Sequence, residues 1–411
     1  MIKFGLIGRN VKYSFSKEIH ERILNEKYEL ISLENEEAFL EFLKTDFNFV
    51  NVTIPYKQVA FKQCDVLSKE AKETGVVNLI IKKDKKLYGY NTDAYGFASL
   101  LGRYSVNVIN KNCLILGTGA SSKTVEYVLK QFGASSVKFL SRIPHIKTAY
   151  NYSDLSPVKD SQVIINTTPI GNFENKDIIL LNDLSTFKNI DTYIDLNYNI
   201  ATNKQALLMK ENGVKTINGL FMLVAQAFRA EEIYLNNYLS SEEIYDSYLS
   251  IFKQNFNISL IGHPFSGKTS IGKILSEKMD MKFVDIDSEI ESKSGKTIPE
   301  IFAQKGEAYF RDLEKEIINS YSSQKGYVIS TGGGSILDPQ NIQVLEETGL
   351  VVNLTRDVRK INSFENRPLV KCIDDLIILI NDRKKLYKKY ADFEVVNEEL
   401  ESTVEAIRRM V

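Results

Sequence analysis

The sequence has few of the residues that form disulfides or bind zinc and iron. Its 411 residues include three cysteines and three histidines. They are Cys64, Cys113 and Cys372, and His20, His145 and His263. Their wide separation gives neither a metal-ligand spacing nor a disulfide framework. We therefore expect no metal site built from protein nitrogen or sulfur, and a reducing compartment, the cytoplasm.

The chain also lacks a strong net charge and a long apolar run. Its 52 basic and 53 acidic residues give a net charge of −1, so we expect neither nucleic acid nor a membrane as a partner. No run reaches the roughly 20 apolar residues of a membrane span, and the strand-like start Met1–Gly5 does not resemble a signal peptide. The length predicts two or three globular domains and leaves the oligomeric state open.

Apolar, strand-like segments alternate with helical patterns along almost the whole chain. They are residues 4–7, 49–53, 113–116, 137–140, 163–166, 193–196, 258–261, 282–284, 327–330 and 350–354. Such strands, separated by helices, are typical of parallel sheets that are covered on both faces. The sequence therefore predicts an α/β fold, and its best domain boundary lies near Phe252–Phe256, after a helical pattern over 231–252.

A glycine-rich loop, Leu116–Ser122, follows the strand at 113–116 and precedes a helical run over 123–132. Its glycines allow a tight turn and a close approach of backbone N–H groups to a pyrophosphate, although other βα turns look similar. The next strand ends in Ser141-Arg142. Arginine suits the 2′-phosphate of NADP, whereas NAD sites usually have an acid there; the alternative is an exposed arginine at a strand end.

A second, unrelated loop follows the strand at 258–261. Gly262–Thr269 fits the pattern G-x-x-x-x-G-K-[ST], in which backbone N–H groups cradle phosphates. In this pattern Lys268 meets the β- and γ-phosphates, and Thr269 binds Mg²⁺. The pattern alone does not distinguish a kinase from a GTPase or a motor protein.

Further motifs resemble those of the shikimate dehydrogenase family, in the family's order. They are Ser14–Ser16, Asn51–Lys57, Val77-Asn78, Gly89–Asp93, Asn166–Gly171, Asp195–Tyr198 and Asn218–Gln226. The resemblance covers roughly residues 1–250 and implies reduction of 3-dehydroshikimate to shikimate by NADPH. It also implies an α/β substrate domain over 1–102, with a helical return at 222–252, and a Rossmann-type NADP domain over 103–221.

The same resemblance assigns roles to residues. Lys57 would supply a proton to the developing alkoxide or stabilise it, and Asp93 would hold the lysine and a substrate hydroxyl. The implied substrate-binding residues are Ser14, Ser16, Thr53, Asn78, Asn91, Tyr198 and Gln226. The implied cofactor-binding residues are Gly117, Thr118, Gly119, Ala120, Ser121, Ser141, Arg142, Asn166, Thr167, Thr168 and Gly219.

The motifs after the second loop resemble shikimate kinase, over about residues 256–411. They are Phe283–Asp287, Gly306–Glu314, Thr331–Gly334, Arg367–Leu369 and Arg383. The resemblance implies a P-loop kinase domain with a parallel sheet, and transfer of phosphate from MgATP to shikimate, which gives shikimate 3-phosphate.

Here too the resemblance assigns roles. Asp287 would hold the attacking hydroxyl, and Arg367 would close over the phosphates. The implied substrate-binding residues are Asp287, Arg311, Gly332, Gly333, Gly334 and Arg383. The implied nucleotide-binding residues are Gly262, Ser266, Gly267, Lys268, Thr269 and Ser270, with Thr269 and, through water, Asp285 at Mg²⁺.

The sequence thus predicts a bifunctional enzyme for two consecutive steps of the shikimate pathway, with NADP(H), ATP and Mg²⁺ and small-molecule substrates. Two alternatives stay open. The dehydrogenase half could also accept quinate, or it could be a degenerate sensor of a metabolite in a regulatory protein. The presence of both Lys57 and Asp93 argues against the sensor.

Overall fold

The computed structural model describes residues 3–361, 370 and 372–411. The chain divides into two compact units. The first contains Met1–Asn199 and Asn203–Ile251, and the second contains Ile200–Thr202 and Phe252–Val411. Among the described residues, no helix combines the length and the apolar character that crossing a membrane requires.

The first unit begins with a sheet in the order β2-β1-β3-β5-β6-β4. The strands are β1 (Phe4–Gly8), β2 (Glu29–Ser32), β3 (Phe49–Val52), β4 (Val66–Leu67), β5 (Leu79–Lys83) and β6 (Lys86–Tyr90). This sheet is mixed, whereas the strand pattern predicts parallel sheets. Strand β5 is antiparallel to β3 and β6, because a hairpin turn at Asp84-Lys85, both at positive φ, joins β5 to β6.

Short helices connect these strands. They are α1 (Ser16–Leu24), α2 (Glu36–Lys44), α3 (Lys57–Gln63), α4 (Lys69–Thr74) and α5 (Asp93–Arg103). Helices α3 and α5 begin at Lys57 and Asp93, directly after the short segments that follow β3 and β6. Lys57 and Asp93 therefore each lie at the N-terminus of a helix that follows a strand of this sheet.

A second sheet in the same unit is parallel throughout, in the order β12-β11-β10-β7-β8-β9. Its strands are β7 (Asn112–Leu116), β8 (Ser136–Leu140), β9 (Ala149–Tyr150), β10 (Val163–Asn166), β11 (Thr192–Asp195) and β12 (Lys215–Asn218), with helices α6 (Ala120–Gln131) and α7 (Lys204–Glu211). Strand β7 has β8 on one side and β10 on the other. The strand order reverses there, and such a point opens a ligand crevice at the carboxyl ends of the strands.

The helical pattern at 231–252 is two helices rather than one. Helix α8 (Leu220–Leu235) ends at Asn236, which takes a left-handed conformation, and α9 (Ser241–Asn255) follows. Helix α8 packs on α1 and α5. A Cβ at Gly96 would lie 2.6 Å from the Met222 oxygen, so only glycine allows this close approach of α5 to α8.

A buried hydrogen bond between His20 and Glu231 also joins α1 to α8. The Nδ1 atom of His20 lies 2.5 Å from Oε1 of Glu231, and both side chains are fully buried. These helices carry Ser16 and Gln226, so the pair helps to fix two candidate substrate-binding residues relative to each other.

The second unit contains a parallel sheet in the order β14-β15-β13-β16-β17. Its strands are β13 (Asn257–Ile261), β14 (Lys282–Asp285), β15 (Tyr327–Ser330), β16 (Gly349–Thr355) and β17 (Phe393–Val396). Its helices are α10 (Lys268–Met279), α11 (Ile286–Ser294), α12 (Ile298–Ser322), α13 (Pro339–Thr348), α14 (Ile373–Tyr390) and α15 (Leu400–Met410). Helix α12 is kinked at Gly306, whose φ is 83°. The predicted α/β fold class is confirmed.

Candidate active sites

The first unit contains a cavity of about 470 Å³ that is lined by segments from both of its sheets. Most of the predicted substrate-binding and catalytic residues line it, together with part of the predicted cofactor set. They are Ser14, Ser16, Thr53, Lys57, Asn78, Asp93, Tyr198 and Gln226, with Ser121, Thr167, Thr168 and Gly219 from the cofactor set. Residues that are far apart in the sequence therefore meet in one place.

The charged centre of this cavity is the pair of Lys57 and Asp93. Nζ of Lys57 lies 2.6 Å from Oδ2 of Asp93, and each side chain is only 10% exposed. Nδ2 of Asn78 donates to Oδ1 of Asp93 at 2.9 Å and contacts Oε1 of Gln226 at 3.2 Å. An ammonium group held in this way can donate a proton or a hydrogen bond to an oxygen on which negative charge develops.

A cluster of hydroxyl groups lies on another part of the cavity wall. The Ser14 hydroxyl donates to Oγ of Ser16 at 3.0 Å, and the Tyr198 hydroxyl donates to Oγ of Ser14 at 3.4 Å. Burial raises the pKa of Tyr198, so its phenol stays protonated at neutral pH. These groups are suited to bind the hydroxyl or carboxylate groups of a small polar ligand.

Asn91 and Asn166 are among the predicted site residues that do not line the cavity. Nδ2 of Asn91 donates to Thr74 and to Thr124, each at 2.9 Å, so this buried side chain joins the first sheet to α6, and its contact with substrate stays a prediction. Asn166 is also buried, and its Oδ1 accepts from the backbone N–H of Thr168 at 3.0 Å. Its hydrogen bonds shape the loop after β10, and contact of Asn166 with the cofactor stays a prediction.

The loop after β7 has the features that a pyrophosphate needs. Gly117 has a φ of 98°, and a Cβ there would lie 2.8 Å from Cγ2 of Thr168, so glycine is required. Helix α6 starts at Ala120, and its N-cap residue Gly119 supplies no side-chain cap, which leaves the first N–H groups directed at the crevice.

The end of β8 supplies groups that fit the 2′-phosphate of NADP. Oγ1 of Thr118 lies 3.4 Å from Oγ of Ser141, so the hydroxyl groups of both loops are adjacent. Arg142 is exposed, and within the described residues its guanidinium forms no ion pair. The residues present therefore fit a dinucleotide that carries an additional phosphate.

In the second unit, backbone oxygens of the loop after β13 accept hydrogen bonds from the side chain of Lys268. Nζ of Lys268 donates to the backbone oxygens of Gly262 at 2.9 Å and of His263 at 3.0 Å. Gly262 and Gly267 have φ values of 144° and 94°, which glycine adopts most readily. Ser266 is buried beside Lys268, and Ser270 lies exposed in the first turn of α10.

An oxygen pair that suits Mg²⁺ lies beside this loop. Oγ1 of Thr269 donates to Oδ2 of Asp285 at 2.6 Å. Hydroxyl and carboxylate oxygens are the ligands that Mg²⁺ prefers, and it usually keeps several waters. The donor set therefore fits the cation at both residues predicted for it.

A second cavity gathers the predicted substrate-binding residues of this unit. Its lining includes Asp287, Arg311, Gly332, Gly333, Gly334 and Arg383. Arg311 forms ion pairs with Glu307 at 3.0 Å and with Glu314 at 2.7 Å. Nη1 of Arg383 donates to the oxygen of Gly333 at 2.9 Å. Arg367, predicted to close over the phosphates, lies outside the described residues.

Comparison with known proteins identifies both units. A family model for the shikimate dehydrogenase substrate binding domain matches residues 6–80, and one for shikimate kinase matches residues 264–411. The shikimate dehydrogenase (NADP(+)) of Clostridium perfringens (strain 13 / Type A) is 35% identical over 263 residues, which are 59% of this chain and 97% of that protein. The chain belongs to the shikimate dehydrogenase family.

Solved structures agree with this assignment. Shikimate dehydrogenase 1 from Peptoclostridium difficile has a TM-score of 0.56 at 31% identity, and covers 61% of this chain and 98% of its own. A shikimate 5-dehydrogenase from Thermus thermophilus, solved in complex with NADP(H) and shikimate, has a TM-score of 0.53 at 25% identity. That match covers 60% of this chain and 98% of the Thermus chain. Together with the kinase match, this confirms the predicted bifunctional enzyme.

The dehydrogenase half contains a buried carboxylate to which the sequence assigns no role. Oδ2 of Asp195 accepts from Asn166 at 3.0 Å, Tyr193 at 2.9 Å and Asn203 at 2.8 Å. Oδ1 accepts from the backbone and the side chain of Asn197 at 2.9 and 2.7 Å. The carboxylate thus ties the loop after β10 to the loop after β11, and burial raises its pKa in spite of these donors.

Asp195→Asn is expected to destabilise the dehydrogenase half. Asparagine keeps one acceptor oxygen but places an NH₂ group against the donors that Asp195 accepts from. We therefore expect the free energy of unfolding to fall by about 1.5–3 kcal/mol. Thermal unfolding of the full chain measures this, with the exposed Asp160→Asn as the matched control that changes stability by less than about 0.5 kcal/mol. Equal unfolding temperatures for Asp195→Asn and the parent would contradict the network's role.

The kinase half contains a similar residue that the predicted site omits. The Glu314 side chain is fully buried, and its Oε1 accepts from the Ser335 hydroxyl at 2.5 Å. Burial raises the pKa of Glu314, while Arg311 lowers it. A Cβ at Gly332 would lie 2.7 Å from Oε1 of Glu314 and 2.9 Å from Oδ1 of Asp287, so a larger residue there would displace these carboxylates. Glu314, which also lines the cavity, therefore positions Arg311 through their ion pair.

Proposed function

We propose that the dehydrogenase half reduces 3-dehydroshikimate to shikimate with NADPH, and that the kinase half phosphorylates shikimate to shikimate 3-phosphate with MgATP. The observation that carries the first reaction is the buried pair of Lys57 and Asp93 in a cavity rich in hydroxyl groups. The second rests on a P-loop and a cavity that combines Asp287 with two arginines. The names of the relatives, which include NADP(+), support the choice of cofactor.

In the first reaction this chain's residues bind the substrate and handle its proton. When bound, NADPH supplies the hydride for the ketone carbon. Lys57 donates its proton, or a hydrogen bond, to the carbonyl oxygen as charge develops there. Asp93 keeps the ammonium aimed and accepts from a neighbouring substrate hydroxyl. Ser14 and Ser16 bind the carboxylate, which fixes the ring relative to Lys57.

In the second reaction Asp287 accepts a hydrogen bond from the attacking hydroxyl and orients it. Arg311 and Arg383 bind the substrate carboxylate, which sets the distance from the ring to the phosphate loop. Lys268 exchanges its bonds to the loop oxygens for the phosphate oxygens of ATP. Bound through Thr269 and, by way of water, Asp285, Mg²⁺ offsets the negative charge of the phosphates.

A two-stage assay of the purified full chain tests the proposal. With 3-dehydroshikimate and NADPH we expect loss of absorbance at the NADPH band, and addition of MgATP should then convert shikimate to a product that is one phosphate heavier by mass spectrometry. NADPH oxidation without formation of shikimate would contradict the first step. Oxidation of quinate at a similar rate would favour the alternative with the wider substrate range, and binding without turnover would favour the sensor.

Arg142→Ala is expected to weaken NADPH binding and leave NADH binding nearly unchanged. A charge-assisted bond to phosphate contributes about 1.5–3 kcal/mol. Because Arg142 is exposed, we expect the lower end of this energy range, which corresponds to roughly a tenfold rise in the KM for NADPH. Steady-state assays with both cofactors measure it, with the exposed Lys147→Ala in the same loop as control. Equal losses with NADPH and NADH would show that Arg142 does not contact the 2′-phosphate.

A further inference from the structure

The phosphate loop of the kinase half contains a phenylalanine in an unfavourable backbone conformation. Phe265 has a φ of 66°, in the left-handed region that bulky residues rarely adopt. Gly262 and Gly267 in the same loop have positive φ without a side chain. Residues held in this way cost free energy, and they persist where the surroundings over-determine them, often at functional sites. The loop therefore has an aromatic residue at a position where glycine would adopt the same backbone conformation at a lower cost in free energy.

The ring packs against one apolar cluster, which consists of Val370, Leu376 and Leu379. The three are 1%, 0% and 9% exposed. Val358, Ile361 and Ile380 pack against the same cluster. Packing of this partly buried ring against the cluster offsets part of the backbone cost of Phe265.

The apolar cluster also forms part of the wall of the substrate cavity. Val370 and Leu379 line that cavity, so the cluster contacts both the phosphate loop and the substrate site. Leu379 lies one helical turn before Arg383 on α14, and residues four apart share a helix face. Arg383 and Tyr387 both donate to the oxygen of Gly333, at 2.9 and 2.6 Å. Helix α14 is thus held by the cluster at one turn and by Gly333 at the next.

A second contact ties the phosphate loop to the same region of the chain. Nε2 of His263 accepts from the backbone N–H of Arg356 at 3.3 Å, while Nδ1 donates to the oxygen of Pro264 at 2.7 Å. Burial lowers the pKa of His263, so the ring is neutral and can make both bonds at once. The loop is therefore tied on both sides of Pro264, which itself lines the cavity.

We propose that Phe265 is a positioning residue that couples the phosphate loop to α14. A nucleotide that orders the loop would hold the ring against the apolar cluster, and the cluster would hold α14 so that Arg383 faces the substrate. This inference rests on the proposed kinase function for the identity of the substrate. The coupling itself requires only that a nucleotide binds at the loop.

Hydrogen exchange of the full chain, with and without MgADP, tests the coupling without turnover. In the parent, MgADP should slow exchange in α14 (Ile373–Tyr390) by about 5-fold or more, the lower range for coupled sites. Phe265→Gly keeps the backbone conformation and removes the ring, so it should bind MgADP yet lose the slowing. Phe265→Asn, which also tolerates positive φ, should behave in the same way. Phe265→Leu should keep most of the slowing.

Kinetics give a second readout. Phe265→Gly should raise the KM for shikimate by about 5-fold or more and change the KM for ATP by less than about 3-fold. Slowing that persists in Phe265→Gly and Phe265→Asn, or that is missing in the parent, would overturn the proposal. A general loss of packing would instead speed exchange equally with and without MgADP, which also counts against it. A parent that shows the slowing but does not phosphorylate shikimate would contradict the proposed function and leave the coupling standing.

Discussion

Lys57→Ala is expected to lower the kcat of the dehydrogenase by about 10²–10⁴-fold, the usual cost of losing a general acid. The lysine supplies the only ammonium group in the lining of the cavity of the first unit, among the described residues, and it lies 2.6 Å from Asp93. Alanine leaves Asp93 buried without its partner, so some stability is lost as well. The rate is therefore measured on folded protein, at temperatures well below the unfolding transition of the variant.

Lys62→Ala is the matched control for this prediction. Lys62 lies on the same helix, α3, but is exposed, and its loss should change neither kcat nor KM by more than about 2-fold. Phosphorylation of added shikimate should be unaffected in both variants, because the described lining of the kinase cavity contains only residues from Pro264 to Arg383. Loss of kinase turnover in Lys57→Ala would mean that the two halves share a site or depend on each other.

The central strands could be predicted because both of their faces are buried. Strands β13 and β10 are buried at every position, so apolar residues predominate in each: Ile258, Leu260 and Ile261 in β13, and residues 163–165 in β10. Strand β17 alternates between exposed and buried residues at the edge of its sheet, and β2 is only partly buried. Edge strands bury less surface, so their apolar signal is weaker and they were not predicted.

The candidate site could be predicted where its residues follow strands directly. Lys57 and Asp93 begin helices at the end of strand-following segments, and these segments meet in the fold. Asn91 has the same local signal, but its Nδ2 donates to Thr74 and Thr124, and only the tertiary structure decides this. Asp195 is held by amides from several loops, an arrangement that leaves no periodic pattern in the sequence. The hydrogen-bond partners of Asn91 and the role of Asp195 therefore could not be predicted from the local sequence.

Backbone conformation explains a further limit of prediction from sequence. The P-loop pattern fixes the glycines and the lysine but allows any residue at the position of Phe265. Its positive φ follows from the course of the loop, and its packing depends on an apolar cluster that includes residues of α14, more than one hundred residues later in the chain. Neither property has a local signature.

Lys268→Ala is expected to lower the kcat of the kinase by about 10²–10³-fold, since it removes a preorganised donor from the transferring phosphate. Lys268 is buried, and Nζ already faces the oxygens of Gly262 and His263 at the loop. Reduction of 3-dehydroshikimate should keep its parent rate, because the cavity lined by Lys57 and Asp93 contains no residue of this loop. Each rate is measured separately on protein whose fold is checked by circular dichroism.

Lys273→Ala on the same helix, α10, is the control for this variant, since its side chain is exposed and it should retain both activities. The KM for shikimate should also stay within about 3-fold of the parent value in Lys268→Ala, because an interaction made mainly in the transition state affects kcat rather than ground-state binding. A large rise in that KM with an unchanged kcat would show that Lys268 orders the substrate cavity instead of acting on the phosphate. Loss of NADPH oxidation in Lys268→Ala would contradict the interpretation that the two active sites act independently. It would mean that reduction depends on an intact phosphate loop in the kinase half.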